Sequence, residues 1–283
     1  MSSHDKEFER LKSEAMNDVV QGNIDRFSGF AAGYDKYRPE MPQEAIDIIL
    51  MYLGRNADCV VDLGSGTGLS TIPWSSAAHG VVGIEPNPDM LSVARIKAEN
   101  FENVRFIRGI SNETGLESGS TDIVTCSQSF HWMEPASTLK EVERILRKGG
   151  VFAVYDCDWP VGAGHEPEKA YMDLFRAVKA IEQSSPVLTN NVRQWDKSKH
   201  LANIQESGLF GFSREIVFEH VEDCDSERFV GLALSQGGLQ TLLKRRVKEI
   251  VPYIESLEAV SRNYFGGGKR KIHVGYRMKL AIK

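Results

Sequence analysis

The chain has 283 residues, of which 41% are apolar, so it can bury a substantial core and intrinsic disorder is not expected. Its 34 basic and 39 acidic side chains give a formal net charge of −5. A protein that grips a phosphate backbone normally carries an excess of positive charge. We therefore predict that nucleic acid is not a partner.

The N-terminal segment, MSSHDKEFERLKSEAMNDVV, carries too many charges for a secretory signal peptide. No apolar run approaches the roughly 18 residues that a membrane span needs. The cysteines are far apart and form no CxxC pair. They are Cys59, Cys126, Cys157 and Cys224. These features predict a cytoplasmic protein with reduced thiols and no membrane partner.

The histidines show neither HxxxH nor HxH spacing, two common arrangements of metal ligands. They stand at positions 4, 79, 131, 165, 200, 220 and 273. From this spacing we predict no metal site.

From about Met41 to Asp158 the chain alternates helical and strand patterns, as in βαβ units. A helix is predicted over 43–53, between Pro42 and Gly54. Short apolar runs predict buried parallel strands at 59–63, 81–85, 104–107, 122–127 and 151–157. Between them, helices are predicted to begin at Asn87–Pro88 and at Pro135, the second ending at Gly149 and Gly150. The pattern predicts an α/β protein with a doubly wound sheet.

After Trp159 the pattern changes to long helical stretches interrupted by two further strand patterns. The strands are expected at 212–221 and in the alternating C-terminal tail, which would lie beside it as an antiparallel last strand. We predict a core of residues 1–160, 210–222 and 269–283. Helical cap insertions at 161–209 and 223–268 would cover the acceptor site.

The strongest motif is VVDLGSGTGLS at 60–70, an apolar strand that runs into three glycines at alternate positions. Glycine permits both a turn with positive φ and a close approach of backbone to a ligand. Dinucleotide-binding loops have the spacing GxGxxG/A, which would require a small residue where Leu69 stands. The spacing therefore disfavours a nicotinamide dehydrogenase.

Glu85 ends the second predicted strand, 21 residues beyond Gly64. A carboxylate at this position can accept hydrogen bonds from the two ribose hydroxyls of a nucleotide. Because nicotinamide enzymes use the same arrangement, Glu85 alone does not identify the cofactor.

The glycine loop resembles motif I of class I S-adenosylmethionine-dependent methyltransferases, and the resemblance extends from about Asn23 to Asp158. It implies a Rossmann-like fold and S-adenosylmethionine as cofactor. In that family the loop, here Gly64, Ser65, Gly66 and Gly68, passes beneath the methionine part of the cofactor. Asp62 would support the loop or bind the amino group. Pro86, Asn87 and Met90 would surround the adenosine, although Met90 could equally be a helix-core residue.

The segment RFIRGISNETGL at 105–116 aligns with the family's third strand, where an acidic residue commonly follows the glycine and binds the adenine amino group. Here Ile110 follows Gly109. Adenine is therefore expected to contact backbone groups near Ile110 and Ser111, or the side chains of Ser111 and Asn112.

The segment DIVTCSQSFHWMEP at 122–135 resembles the family's motif IV, and its HW pair resembles members close to the trans-aconitate methyltransferase group. The carboxyl end of a strand in an open α/β sheet faces the ligand crevice. This places four residues near the sulfonium or the acceptor: Ser127, Gln128, Ser129 and His131.

His131 is the candidate general base of this segment, because an unperturbed imidazole has a pKa near neutrality. The alternative is a structural histidine bonded to backbone beside Trp132. For Trp132 three roles stay open: a cap on the adenine, a wall of the substrate pocket, or packing.

Residues 26–42 form a glycine-interrupted aromatic stretch that resembles the N-terminal lid of the same group. Tyr34 and Tyr37 are candidates for covering the sulfonium, and Arg38 is a candidate for binding the cofactor's carboxylate. The alternative is that these aromatics pack on the sheet edge. Farther along, Trp159 could face the acceptor, together with Arg193 and Trp195, and the alternative is ordinary helical packing.

These features favour an enzyme that methylates a small-molecule acceptor, with oxygen as the accepting atom and a carboxylate as one option. The alternative is a non-catalytic module that binds S-adenosylmethionine or S-adenosylhomocysteine. Binding motifs do not separate the two, and a fold alone does not define function. The oligomeric state is not predicted.

Overall fold

The computed structural model describes residues 18–185 and 191–283, in which seven strands form one sheet with helices on both faces. The strands are β1 (Ala57–Leu63), β2 (Ala78–Ile84), β3 (Val104–Ile107), β4 (Thr121–Ser127), β5 (Leu146–Cys157), β6 (Phe212–Cys224) and β7 (Arg270–Ile282). The helices are α1 (18–25), α2 (Ala31–Tyr37), α3 (Gln43–Leu53), α4 (Pro88–Ala98), α5 (Pro135–Ile145), α6 (His165–Ser184), α7 (His200–Glu206), α8 (Ser226–Leu234), α9 (Gly237–Lys244) and α10 (Val251–Phe265). Residues 1–17, and 186–190 in the polar stretch after α6, lie outside the described residues.

The strand order is β3-β2-β1-β4-β5-β7-β6. The pairs from β3 to β5 are parallel, whereas β7 is antiparallel to both β5 and β6. This confirms the predicted doubly wound sheet, mostly parallel with an antiparallel last strand. In the sheet, β2 lies on one side of β1 and β4 lies on the other side. The carboxyl ends of β1 and β4 therefore border the crevice where such sheets bind ligands.

Successive residues of the central strands point to opposite faces of the sheet. Val60 packs in a core formed with α3, α6 and α8 to α10. Its neighbour Val61 packs in a second core, to which α5 and α7 contribute. Because both faces are covered, β1 is apolar at consecutive positions rather than at alternate ones.

Helix α5 ends earlier than the sequence predicts, and β5 begins earlier. Leu146 already has extended backbone and pairs with Thr121 of β4. The register then shifts before Ile123 pairs with Val151. Gly149 has φ of +76°, which a right-handed helix does not accommodate. The helical pattern of 146–148 thus gives way to strand pairing.

The two long segments outside the sheet are mainly helical. Helix α10 packs against α6 and α8, and α9 packs against α6 and α8. The division of the chain into a core and a cap stays a prediction. Across residues 18–185 and 191–283, no helix combines the length and apolar character needed to cross a bilayer.

Candidate functional site

A cavity of about 420 Å³ lies at the carboxyl ends of β1, β2 and β4. Ten residues predicted to bind the cofactor or substrate line it: Tyr34, Gly64, Gly66, Glu85, Pro86, Met90, Ile110, Ser111, Ser127 and Trp132. We call this space the first cavity. The structure therefore brings residues from widely separated segments into one site.

The glycine loop turns sharply at the end of β1. The backbone N–H groups of Gly64 and Ser65 both donate to the carbonyl oxygen of Ile84, at 2.8 and 3.1 Å. Gly64 has φ of +66°, and a Cβ there would stand 2.7 Å from the Cβ of Ser129. Gly66 has φ of +54°, but a Cβ there would meet no atom of residues 18–185 and 191–283 within 4 Å. Gly64 is thus required for packing, and Gly66 borders open space.

Asp62 supports this loop from below and does not line the first cavity. Its Oδ2 accepts hydrogen bonds from the hydroxyls of Ser70 and Thr71, both at 2.7 Å. Its Oδ1 accepts one from Thr125 of β4 at 2.8 Å. Burial raises the pKa of Asp62, against the lowering effect of these three hydroxyl donors. Of the two predicted roles, these contacts favour loop support.

Two other loop residues also lie outside the first cavity. Gly68 has φ of +86° and lies so close to Phe106 that a Cβ would stand 2.8 Å from its ring. Ser65 borders a smaller space of about 30 Å³ beside the loop, together with Tyr34 and Arg38. Gly68 therefore serves the packing of the loop onto β3.

Glu85 occupies the centre of the first cavity wall. Its Oε2 accepts a hydrogen bond from the N–H of Gly66 at 2.8 Å, and its Oε1 accepts one from the N–H of Asn87 at 2.7 Å. Each carboxylate oxygen keeps a further lone pair that can accept a ligand hydroxyl. Burial raises the pKa of Glu85 to about 7, against the lowering effect of these two N–H donors.

This raised pKa predicts that nucleotide binding depends on pH. Below pH 7 the free carboxyl is protonated and loses acceptor capacity, so the affinity for S-adenosylhomocysteine should fall as the pH falls. Between pH 8 and pH 6 we expect a loss of about tenfold, measured as the Kd by fluorescence or calorimetry. Glu85→Gln should bind S-adenosylhomocysteine weakly, with a Kd that does not change with pH. Glu99 is exposed, and Glu99→Gln should show the same dependence of Kd on pH as the wild type. A wild-type profile as flat as that of Glu85→Gln would contradict this prediction.

The adenosine end of the first cavity has apolar walls. Met90 and Ile84 are almost fully buried, at 2% and 1% exposure, and Pro86 and Ile110 lie beside them. The Ser111 hydroxyl lies 2.9 Å from that of Thr138 and is therefore partly engaged. Its backbone and the side chain of Asn112 stay the candidate polar contacts for adenine.

The sequence did not reveal that α1 forms part of the site. Val20, Asn23, Ile24 and Phe27 line the first cavity. Asn23 holds this segment in place, because its Nδ2 donates to the carbonyls of Trp132 and Arg193, both at 3.0 Å. Phe27 falls within the predicted lid at 26–42, but no motif marks Val20 or Ile24 as site residues. Asn23 is held by contacts across more than 100 positions.

Asn87 also anchors the N-terminal segment. Its Oδ1 caps α4 by accepting from the N–H groups of Asp89 and Met90, as its position before Pro88 predicts. Its Nδ2 donates to the carbonyl of Ile24 at 2.8 Å. One side chain thus couples the start of α4 to the segment that covers the first cavity.

A second cavity of about 140 Å³ adjoins the first. The two share Phe27, Tyr34, Gln128 and Trp132 in their walls. Three further predicted site residues line the second cavity: Arg38, His131 and Trp159. The side chains predicted for the cofactor and for the acceptor therefore lie around two adjoining spaces that share part of their walls.

Gln128 lies at the junction of the two cavities, at the carboxyl end of β4. Its φ of +50° is uncommon for a residue other than glycine, and such backbone strain concentrates at functional sites. Its Oε1 accepts hydrogen bonds from Arg38 Nη1 at 3.2 Å and from Trp159 Nε1 at 3.4 Å. The strained backbone directs the amide between Arg38 and Trp159.

His131 lies in the wall of the second cavity, and its Nδ1 is 3.6 Å from Oδ1 of Asp156. Burial and the positive charge of Lys197 hold the pKa of His131 well below its usual range, so the imidazole is neutral near pH 7. A neutral imidazole can accept a proton. His131 therefore stays the candidate base.

The structure brings together a group that histidine spacing did not indicate: His131, Asp156 and His200, all buried. Lys197 Nζ lies 2.6 Å from Oδ1 of Asp156. Of the three, only His131 lines the second cavity. Because an ammonium group already pairs with the Asp156 carboxylate, we do not propose a metal site here.

Three aromatic or basic candidates lie outside both cavities. Tyr37 packs against Gly231 of α8, where a Cβ would stand 2.3 Å from its ring, and its hydroxyl donates to Glu227 at 3.0 Å. Arg193 lies over the Trp195 ring, 4.7 Å from its centroid. Tyr37 thus packs α2 against α8, which is a packing role and not a contact with a ligand.

The first cavity fits S-adenosylmethionine. It offers open space beside Gly66, a carboxylate with free lone pairs at Glu85, and apolar walls around Met90. At the other end, Tyr34 and Ser127 approach the junction with the second cavity. These are the groups that a nucleoside carrying a small cationic tail requires.

Comparison with known proteins points to the same class. Residues 61–154 match a family described as a methyltransferase domain. A protein named as an uncharacterized methyltransferase from Mycobacterium tuberculosis is 38% identical over 124 residues, which are 44% of this chain and 49% of that protein. One named as an uncharacterized methyltransferase-like protein from Schizosaccharomyces pombe is 34% identical over 133 residues, 46% and 50% of the two chains. The chain spans about half the length of the curated relatives that it matches.

Solved structures share the fold at low sequence identity. A putative type II methyltransferase from Anaeromyxobacter dehalogenans has a TM-score of 0.58 and 16% identity, covering 87% of this chain and 97% of its own. The YcgJ protein of Bacillus subtilis has a TM-score of 0.53 and 19% identity, covering 86% and 99%. The chain therefore shares a Rossmann-like fold with these two structures. Together with the matched domain, this fold supports S-adenosylmethionine as the cofactor; the trans-aconitate group stays a prediction.

Proposed function

We propose that the protein is an S-adenosylmethionine-dependent methyltransferase that methylates an oxygen atom of a small molecule, with a carboxylate among the candidate groups. The observation that carries this proposal is the second cavity, which joins the first at Tyr34 and Gln128. An acceptor there would lie next to the cofactor's reacting end. We further propose that 161–209 and 223–268 act as a cap over this space, since Lys197 and Gly237 contribute to its wall.

S-adenosylmethionine, when bound, supplies an electrophilic methyl group. Methyl transfer demands alignment of donor and acceptor and exclusion of water. Tyr34, Phe27 and Trp132 supply aromatic walls at the junction, and the Phe27 and Trp132 rings pack edge to face with centroids 5.3 Å apart. We propose that these rings limit the entry of water between the two cavities.

The need for a base depends on the acceptor. A carboxylate is already ionised and needs no proton removed, whereas an alcohol or phenol does. For an alcohol or phenol we propose His131 as the base, because it is neutral and lines the second cavity.

The second candidate is a module that binds the nucleotide without turnover. A cap that filled the acceptor space would favour that function. The open second cavity instead supports turnover.

The test is formation of S-adenosylhomocysteine by the purified chain with S-adenosylmethionine and a panel of small carboxylic acids, phenols and alcohols. Mass spectrometry should detect a product heavier by one methylene for at least one acceptor, and Glu85→Ala should lower its rate of formation by about tenfold or more at limiting S-adenosylmethionine. Tight binding of S-adenosylhomocysteine without product from any member of the panel would favour the non-catalytic module.

A further inference from the structure

We propose that the second cavity contains a subsite for an oxyanion, a carboxylate or phosphate group of the acceptor, formed by Arg26, Arg38 and the first turn of α9. Its assignment to the acceptor rests on the proposed methyltransferase function. The subsite itself rests on unsatisfied cationic groups around this cavity, and its occupancy can be measured without catalysis.

Arg26 is the first of these groups. Its side chain is 8% exposed, and its Nη2 lies 2.9 Å from Oε1 of Glu182. Its Nε and Nη1 are buried and have no hydrogen-bond partner among residues 18–185 and 191–283. Unsatisfied buried N–H groups are costly, and those on a charged group are the most costly. Two donors of Arg26 are thus available to a ligand, and this residue lines the second cavity as well as a separate space of about 370 Å³ beside Asp25 and Lys244. Its guanidinium also lies 5.7 Å from the centroid of the Trp132 ring.

Arg38 is also buried, and every partner that the described part of the chain gives it is neutral. It donates through Nη1 to the Gln128 amide oxygen and through Nη2 to the carbonyl of Ser235 and the amide oxygen of Gln236, at 3.3 and 2.9 Å. Its guanidinium lies between the rings of Tyr34 and Trp159, 5.0 and 4.8 Å from their centroids. Its Nε has no partner in the described residues. A buried cation without an anion is unfavourable, and an anionic ligand would relieve this cost.

The first turn of α9 adds a third source of positive potential. The helix starts at Gly237 after Gln236, whose side chain makes no capping hydrogen bond. Gly237 and Gly238 line the second cavity beside Arg26, and a Cβ at either would stand 3.2 Å from a guanidinium nitrogen. The absence of side chains permits this close approach. N–H groups at a helix N-terminus favour oxyanions. The Glu182 carboxylate lies on one side of this turn, 3.3 Å from a Cβ placed at Gly238, and the second cavity lies beside it.

The charges around the cavity have one sign. Arg26, Arg38 and Lys197 line it, whereas no described aspartate or glutamate does. Lys197 is paired with Asp156 behind the wall and Arg26 with Glu182, so Arg38 carries the unbalanced charge and Arg26 contributes its free donors. Arg38 also borders the small space beside the glycine loop, where it can meet the cofactor's carboxylate. Arg26 borders neither that space nor the first cavity, so its free donors fit a second anion.

The test uses succinate and inorganic phosphate as probes, with succinamide as the neutral counterpart of succinate. Each is titrated into the full chain, with and without S-adenosylhomocysteine, and followed by calorimetry and by the fluorescence of Trp132 and Trp159. We expect at least one of the two anions to bind and succinamide not to bind. Arg26→Gln should weaken anion binding by about tenfold or more, because hydrogen bonds to charged groups are the strong ones.

Arg176→Gln is the matched control, since Arg176 is 71% exposed and pairs with Asp173 on the surface. Gln194→Glu is a second variant that keeps Arg26, and it places a negative charge at an exposed position of the cavity wall. It should weaken anion binding without unfolding the chain. Arg26→Gln should leave the Kd for S-adenosylhomocysteine unchanged, which separates failure of this subsite from failure of the proposed cofactor site. Absence of anion binding, or equal effects of Arg26→Gln and Arg176→Gln, overturns the proposal.

Discussion

Replacing Gly66 by alanine is expected to weaken binding of S-adenosylhomocysteine by about tenfold to a hundredfold. The reason is that the added methyl group would stand where the ligand must approach the backbone. Nothing in the described structure lies within 4 Å of the Cβ that would be added, so the new methyl group would enter the space left for the cofactor. The positive φ of +54° adds a folding cost of about 1 kcal/mol.

Gly54 supplies the control for that backbone cost. It ends α3 with φ of +70°, and a Cβ there also meets nothing within 4 Å, yet it lies far from both cavities. Gly54→Ala should therefore lower the free energy of unfolding by about 1 kcal/mol, as Gly66→Ala does, and leave the affinity for S-adenosylhomocysteine unchanged. If both variants bind S-adenosylhomocysteine like the wild type, Gly66 does not border the cofactor.

Replacing Asp62 by alanine is expected to cost about 3 kcal/mol in the free energy of unfolding, because three buried hydroxyl groups would lose their acceptor. Ser70, Thr71 and Thr125 all donate to this carboxylate, which is fully buried. Asp62→Asn keeps an amide oxygen as acceptor and should cost less, about 1 kcal/mol. Urea denaturation followed by circular dichroism measures both changes.

Asp58 is the matched control on the same strand. Its side chain is 59% exposed and pairs with His79 and Arg147, which are themselves partly or largely exposed. Asp58→Ala should change the free energy of unfolding by no more than about 0.5 kcal/mol, as is usual for surface pairs. Equal losses for Asp58→Ala and Asp62→Ala would show that the buried hydrogen bonds of Asp62 do not stabilise the loop.

The strands and the glycine loop could be predicted because their signals are local. Short apolar runs define β1 to β5, and a strand followed by GxGxG defines the turn at Gly64. Glu85 could be placed at the site because the end of a parallel strand fixes its position. The end of α5 could not be placed, since pairing of Leu146 with Thr121 overrides the local helical pattern.

The rest of the candidate site depends on contacts between distant segments. Arg26 meets Gly238 only after α9 packs beside the lid, and Asn23 meets Arg193 across 170 positions. Gln128 was expected near the reacting groups, but its positive φ and its contact with Arg38 have no sequence signature. Such groupings follow from tertiary packing, which periodicity and spacing do not encode.

The central claim is that the cavity beside the glycine loop binds S-adenosylmethionine. Calorimetric titration of the full chain with S-adenosylmethionine, S-adenosylhomocysteine and NADH tests it most directly, with Glu85→Ala and exposed Glu99→Ala as a matched pair. We predict binding of both sulfur nucleotides in the micromolar range, no binding of NADH, and a loss of about tenfold or more for Glu85→Ala alone. Failure of both sulfur nucleotides to bind, or equal binding by the two variants, would contradict it.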